Sequence, residues 1–255
     1  MPSPPIRLGI LECDTPLPNT KARFGGYGGV FEFLLKRGAR ALQDPQLNPD
    51  TALQITKWQV EQDPTRYPSL DDVDAILITG SKHDSFADNP WTNTLVEYTA
   101  KVLAQDRVRV IGVCFGHQIV ARAMGVEVGR NDGGWEAAVT EVQLTAKGKE
   151  IFRTKGDKLA IHQMHRDIVY RYPPGVESLG HSPVCKVQGM YAPRRLLTVQ
   201  GHPEFSQEIM DEILDTRHKT GIFDDAAYDA HMKKVNLEHD GVLVSQAFLR
   251  FLLED

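Results

Sequence analysis

An α/β fold, with a mostly parallel central sheet, helices on both faces and an added β-rich section, is predicted by three stretches of this sequence. The apolar run Val108 to Val113 passes through a glycine-flanked turn into a helical pattern. The apolar run Ala75 to Thr79 gives way to a polar loop, Gly80 to Ser85, and then to a helix opened by Pro90-Trp91. From Val139 onward short β-like runs follow one another, a pattern that suits antiparallel or mixed pairing.

In chain order, Ile6 to Glu12 reads as the first strand. Phe24-Gly25-Gly26-Tyr27-Gly28-Gly29 precedes a helical pattern through Val30, Phe31, Phe33, Leu34 and Leu35. These glycines lack dinucleotide-fingerprint spacing, and no Gly-Lys-Ser/Thr closes the segment, so they read as a flexible turn with no nucleotide assigned. Strands follow near Leu53 to Gln59 and at Ala75 to Thr79. Asp71-Asp72-Val73-Asp74 reads as a solvated turn ahead of the latter. Past the elbow, β-like runs span Val139 to Thr145, Lys158 to His165, Val176 to Gly180, Cys185 to Tyr191 and Leu196 to Gln200. A helix from about Gln207 to His218 takes Ser206 as N-cap and Gly221 as stop, and another runs from about Val242 to Leu253. Between them, Thr220 to Asp240 reads as a surface excursion.

The chain has 255 residues, 41% of them apolar, which suits one large α/β domain spanning residues 1–255. Its 29 Lys and Arg against 34 Asp and Glu leave a formal charge of −5, with no basic run to serve nucleic acid. A small-molecule partner is expected instead. No apolar stretch approaches the roughly 18 residues of a membrane span, and the opening Met1-Pro2-Ser3-Pro4-Pro5 lacks a signal peptide's apolar core. A cytoplasmic location with no membrane partner is expected. Cys13, Cys114 and Cys185 are too few and too far apart for a disulfide framework or a Cys-x-x-Cys metal site.

Chemistry concentrates at Cys114. Gly112 and Gly116 flank it two residues away on either side, so a strand can reverse sharply into a helix without Cβ clashes and leave the sulfur exposed above the sheet edge. The following helix N-terminus offers free N–H groups and partial positive charge, which favour a thiolate and a developing oxyanion. For a random cysteine, burial as a small core residue is the commoner fate, and Cys13 and Cys185 are read that way, with partial exposure left open for Cys13 at a strand's end. The second feature is Gly201-His202-Pro203-Glu204, directly after an apolar strand. In extended backbone, residues two apart point to one face, so Glu204 is placed to steady His202 while the imidazole faces a nucleophile. Thiolate, histidine base and orienting carboxylate are what acyl transfer through a thioester requires. His117 reads as a packing or hydrogen-bonding residue. His162 and His165 lack a third ligand at convincing spacing, so neither a metal nor any other cofactor is expected.

Taken together, Gly112-Val113-Cys114-Phe115-Gly116-His117-Gln118 and the later His202-Pro203-Glu204 resemble the class I, or triad, glutamine amidotransferases, marked by Gly-x-Cys-x-Gly-x-Gln and His-Pro-Glu in that order. The resemblance runs from about Ile6 to Phe205 and includes the stand-alone GMP-synthase-like amidotransferase domains. It implies a flavodoxin-like open sheet and γ-glutamyl amide cleavage, converting glutamine to glutamate and ammonia. It further implies that Cys114 attacks the δ-carbonyl, His202 shuttles a proton to the leaving nitrogen, Glu204 orients His202, and water resolves a γ-glutamyl thioester. Backbone N–H groups at Gly80 and Phe115 would form the oxyanion hole, with Gln118 holding the α-amino acid end of the substrate.

Met164-His165-Arg166-Asp167 resembles the family's Ser-His-Gly-Asp segment, whose backbone grips that end, and this implies substrate contacts at His165 and Arg166. Arg166 in place of glycine either narrows the pocket or supplies a cation to a carboxylate that glutamine lacks. No Ser-Gly-Gly-x-Asp-Ser type pyrophosphate loop is present, so released ammonia would pass to a synthase in trans. The stand-alone plant γ-glutamyl peptidases, which are similar, imply the alternative of a γ-glutamyl peptide substrate; residues Arg130 to Glu136, including Trp135, and the Lys82-His83-Asp84 loop are candidates to shape the pocket mouth. Two rival classes are a redox or chaperone-like protein with an oxidised elbow cysteine, against which His202-Pro203-Glu204 speaks, and a catalytically silent scaffold.

Overall fold

The computed structural model describes residues 3–255, so Met1 and Pro2 of the proline-rich opening lie outside the described residues. Nine strands form one sheet in the order β2-β1-β3-β4-β11-β10-β9-β6-β7. Five of them, β2 (Leu53–Trp58), β1 (Ile6–Leu11), β3 (Ala75–Ile78), β4 (Arg109–Val113) and β11 (Leu196–Val199), run parallel. The remaining four, β10 (Gly189–Ala192), β9 (Glu177–His181), β6 (Glu136–Leu144) and β7 (Lys158–His165), are antiparallel to their neighbours. The expected change of pattern in the second half is therefore the change from parallel to antiparallel pairing.

Alternation along the central strands decides which helices cover which face. Ala75 and Leu77 of β3 join Leu8, Ile10 and Ile111 in one core, which the apolar stripes of α2 (Tyr27–Leu42) and α8 (Gly241–Leu252) close through Phe31, Leu35, Phe248 and Phe251. Ile76 and Ile78 point the other way, with Leu11 and Val110, against Leu95 and Val102 of α3 (Pro90–Leu103) and Phe115, Ile119 and Val120 of α4 (Phe115–Ala123). Each fully buried Phe, Leu or Ile contributes about 2–3 kcal/mol from its removal from water. A third core lies over β6 and β7, where Met164, Ala137 and Ala138 meet Phe205 and Ile209, Met210 and Leu214 of α6 (Gln207–Lys219).

Several elements depart from expectation. The glycine turn is shorter than predicted, because α1 (Pro18–Phe24) precedes it and α2 begins at Tyr27. Its glycines wrap a carboxylate of the protein itself: the Gly28 N–H donates to Glu12 Oε1 at 2.6 Å. The run from Cys185 joins the sheet only from Gly189, because the Ser182 N–H turns back to the Cys185 carbonyl. Three-residue strands β5 (Val128–Arg130) and β8 (Asp167–Val169) pair as a separate ribbon, and α5 (Ala146–Phe152) follows β6. Within the presumed surface excursion, α7 (Asp225–Met232) is capped by Asp224, whose side chain accepts from Ala227 N–H. Asp74 is less solvated than a free turn residue, because Arg7 binds both of its carboxylate oxygens. No described helix is long and apolar enough to cross a membrane.

Candidate active site

Three adjacent parallel strands, β3, β4 and β11, end side by side, and their carboxyl ends carry Gly80, Cys114 and His202 in turn. Ligands gather at such strand ends in open α/β sheets. The strand ladder holds to the last residue, since the Cys114 N–H donates to the Val199 carbonyl at 2.9 Å. There the chain turns at once into α4, with Cys114 at φ 51° and ψ −104°. A non-glycine residue in that region costs on the order of 1–3 kcal/mol and persists only where its surroundings enforce it. The glycines supply the room: a Cβ on Gly112 would stand 2.8 Å from the Gly116 carbonyl oxygen, and one on Gly116 would stand 2.2 Å from the Ile78 carbonyl oxygen.

Cys114 is not exposed above the sheet edge as expected. It is only 5% accessible and lines a cavity instead, because loops and α6 roof the strand ends. His202, 4% accessible, is held on every side. Its Nδ1 lies 2.8 Å from Glu204 Oε1, its ring stacks on Phe205 at 4.0 Å, and its N–H donates to the His162 carbonyl at 2.7 Å. With Nδ1 taken by Glu204, Nε2 is the ring nitrogen left to face the Cys114 side. Burial works against a charged imidazole here, but the Cys114 sulfur and the Glu204 carboxylate outweigh it and push His202 up to about 10. Gly80 lies between the two, since a Cβ there would come within 2.8 Å of His202 Cε1 and 3.7 Å of Cys114 Cβ. The first N–H groups of α4, starting with Phe115, have no intrahelical acceptor. A thiol beside a carboxylate-held imidazole, under free helix N–H groups, can attack an acyl carbon and stabilise the resulting oxyanion.

Two adjoining chambers open on this centre. The first, about 470 Å³, holds Cys114, Gln118, His165, Arg166 and Asp167, with Trp135 and the Lys82-His83-Asp84 loop at its wall. The second, about 410 Å³, holds His202 and Tyr27, with an apolar side formed by Leu17, Phe205, Ile213 and Ile222 and a polar side that includes Asp14, Lys82, Thr216 and Arg217. Ser81, Lys82, Met164, Arg217 and Ile222 line both. The loop after β3 and the elbow after β4 thus face one cleft, as their strand-end positions predict. Arg166 is exposed at the first chamber, so it does not fill it.

The substrate residues implied by resemblance are tied to one another. Gln118 is buried, and its Nε2 donates to the Asp167 carbonyl at 2.8 Å and to Gln200 Oε1 at 3.0 Å, so its amide also cross-links β8 to the elbow helix. His165 Nδ1 lies 3.2 Å from the Asp167 carbonyl and its Nε2 lies 3.0 Å from Glu136 Oε2. Glu136, His165 and Cys185 bring one ligand-type atom each within 4.8 Å of one another, a cluster that strand spacing alone did not reveal. Gln188 Nε2 donates to Glu136 at 2.9 Å, and the Cys185 thiol faces the Val187 carbonyl, so the cluster reads as a hydrogen-bonded brace for His165. Cys13, left open to partial exposure, is fully buried, and burial drives its thiol far above the usual range. His117 packs as expected: it is buried 2.8 Å from Thr198 Oγ1, and burial lowers it to about 3.

Asp167 carries the clearest electrostatic signature of the first chamber. Burial pushes its carboxyl up to about 6, opposed by Arg130, whose Nε lies 3.1 Å away, and reinforced by Asp84. Sequence reading missed Arg217. It stands on α6, outside both motifs, with its guanidinium 4.6 Å from the Trp135 ring centroid.

Comparison with known proteins gives this architecture a family. Residues 44–218 match the glutamine amidotransferase class-I family. A glutamine amidotransferase-like protein of Schizosaccharomyces pombe is 34% identical over 251 residues, 97% of this chain and 98% of that protein. Gamma-glutamyl peptidase 3 of Arabidopsis thaliana is 34% identical over 57% of this chain and 60% of its own length. Among solved structures, a glutamine amidotransferase of Thermotoga maritima superposes with a TM-score of 0.72 at 14% identity, covering 97% of this chain and 98% of that one, a likeness of fold. The chain belongs to the class-I glutamine amidotransferase family.

Proposed function

We propose that this protein cleaves γ-glutamyl amides through a thioester on Cys114, with His202 as proton shuttle and Glu204 as its orienting carboxylate. The observation that carries the reading is the buried Cys114, His202 and Glu204 arrangement, with His202 Nδ1 held 2.8 Å from Glu204 Oε1. The Cys114 sulfur attacks the δ-carbonyl, and N–H groups at Gly80 and Phe115 receive the oxyanion. As the C–N bond breaks, His202 gives its proton to the leaving nitrogen. It then takes a proton from the water that attacks the thioester, releasing glutamate and restoring the thiolate and imidazolium pair.

The first chamber takes the glutamyl moiety. Its α-ammonium pairs with the Asp167 carboxylate, while the His165 and Arg166 backbone and Gln118 frame its α-carboxylate. Protonation of Asp167 removes that charge pair, so KM is expected to rise as pH falls through about 6, whereas kcat holds within the same range. Initial-rate kinetics across that range check this; a KM independent of pH removes Asp167 from substrate binding.

With glutamine as substrate the product is ammonia, consumed by a synthase in trans in the cytoplasm. A second reading, γ-glutamyl peptidase, is favoured by the chamber beside His202, whose volume of about 410 Å³ far exceeds the needs of ammonia. Glutamate release from glutamine and from γ-glutamyl dipeptides, with Cys114→Ala as control, tests the proposal. Cys114-dependent release from either supports it, and the preferred donor names the leaving group. No release from any γ-glutamyl amide refutes it.

A further inference from the structure

Among the described residues, the wall between the two chambers carries a cation with no salt-bridge partner. Lys82 is paired with Asp14 at 2.6 Å, and Arg130 is paired with Asp84 at 3.0 Å and Asp167 at 3.1 Å. Arg217 lines both chambers, yet among the described residues it has no carboxylate within salt-bridge distance. A guanidinium keeps its charge in proteins, and leaving it half buried and unpaired is costly unless an anion arrives. Trp135 packs against it, with the guanidinium carbon 4.6 Å from the ring centroid, a contact that leaves the N–H fork available to a bidentate partner. Arg217 is also placed by well-packed structure, since Met210 and Leu214 of the same helix are fully buried.

The positions of Cys114 and His202 favour one class of anion for Arg217. Cys114 opens on the first chamber and His202 on the second, so an acyl group on sulfur leaves its amine partner on the His202 side. In a γ-glutamyl amino acid, the carboxylate of the leaving residue is separated from the scissile nitrogen by one carbon, which brings it to the boundary between the chambers. The side chain of that residue would then extend among Leu17, Tyr27, Phe205, Ile213 and Ile222. Ammonia would use none of these contacts.

Resting on the γ-glutamyl reading above, we propose that Arg217 clamps the carboxylate of an amino-acid leaving group, making this protein selective for γ-glutamyl amino acids with apolar side chains. Turnover needs only the γ-glutamyl amino acid and water. The Cys114 sulfur forms the thioester bond, the amide C–N bond breaks, His202 protonates the leaving nitrogen, and the free amino acid departs from Arg217. Water then hydrolyses the thioester.

The test compares γ-glutamyl-leucine with γ-glutamyl-leucinamide, which differs only in lacking the carboxylate, on the purified full chain. A charge-assisted bidentate contact predicts a kcat/KM preference for the acid of about 10- to 100-fold. Arg217→Gln is expected to erase most of that preference, mainly through the KM of the acid, and Arg217→Lys to restore part of it. The first comparison needs no variant, so poor folding of a substituted protein cannot obscure it. Turnover of both compounds with equal kcat/KM overturns the clamp while leaving γ-glutamyl cleavage standing. Absence of Cys114-dependent turnover with both compounds and with glutamine overturns the cleavage reading, and the clamp with it.

Discussion

Alanine at position 114 is expected to abolish glutamate release, lowering kcat by on the order of 10⁴- to 10⁶-fold, as loss of a nucleophile does in covalent hydrolases. Removing the sulfur removes the covalent route, and His202 then has no thiolate to pair with. Because the residue is small and its side chain faces the cavity, the fold should tolerate the change, so an unaltered thermal transition is expected beside the lost turnover. Near-normal turnover in clean Cys114→Ala protein would show that the elbow cysteine is structural and that the rival scaffold or redox readings have the better claim.

The second large effect concerns the turn itself. Gly116→Ala would drive a methyl group to 2.2 Å from the Ile78 carbonyl oxygen, where the obstacle is backbone of a central strand and has no rotamer to adopt. Relief requires α4 to move away from β3, which opens the core around Phe115, Ile119 and Ile78. Overpacking of this kind costs about 3 kcal/mol. A drop of that size in unfolding free energy from chemical denaturation, accompanied by lost activity, is the expected result. A variant as stable as the parent would mean that the elbow is looser than its contacts indicate.

The residues that were legible in the sequence are those whose role follows from local chain geometry. Gly112 and Gly116 around Cys114 announce a turn with no room for side chains, and the structure supplies the backbone atoms they approach. His202 and Glu204 sit two apart and their side chains meet at 2.8 Å, but through a turn rather than the extended backbone expected: Pro203 and Glu204 form the turn, and the Phe205 N–H donates to the His202 carbonyl at 3.4 Å. The parallel half of the sheet is legible for a similar reason, because apolar runs such as Ala75 to Ile78 are buried on both faces.

What escaped depends on residues far apart in the chain. Arg217 takes its meaning from Trp135 and from the cleft between Cys114 and His202, and nothing in helix α6 itself distinguishes it from a surface arginine. The brace of Glu136, His165 and Cys185 unites β6, β7 and a loop. Strands β5 and β8 are three residues each, too short for alternation to register. The exposure expected for Cys114 was wrong for a related reason: an elbow lifts its side chain above the sheet, but only the packing of α6 and the loops over the strand ends decides whether that space is open.

The most direct test of the catalytic account is to capture the acyl enzyme. Protein mixed with a γ-glutamyl substrate, quenched in acid during turnover and analysed by intact mass and peptide mapping, should carry one γ-glutamyl group on Cys114, lost on treatment with hydroxylamine and absent from Cys114→Ala. Steady turnover with no adduct on Cys114, or an adduct on another residue, would contradict the thioester mechanism.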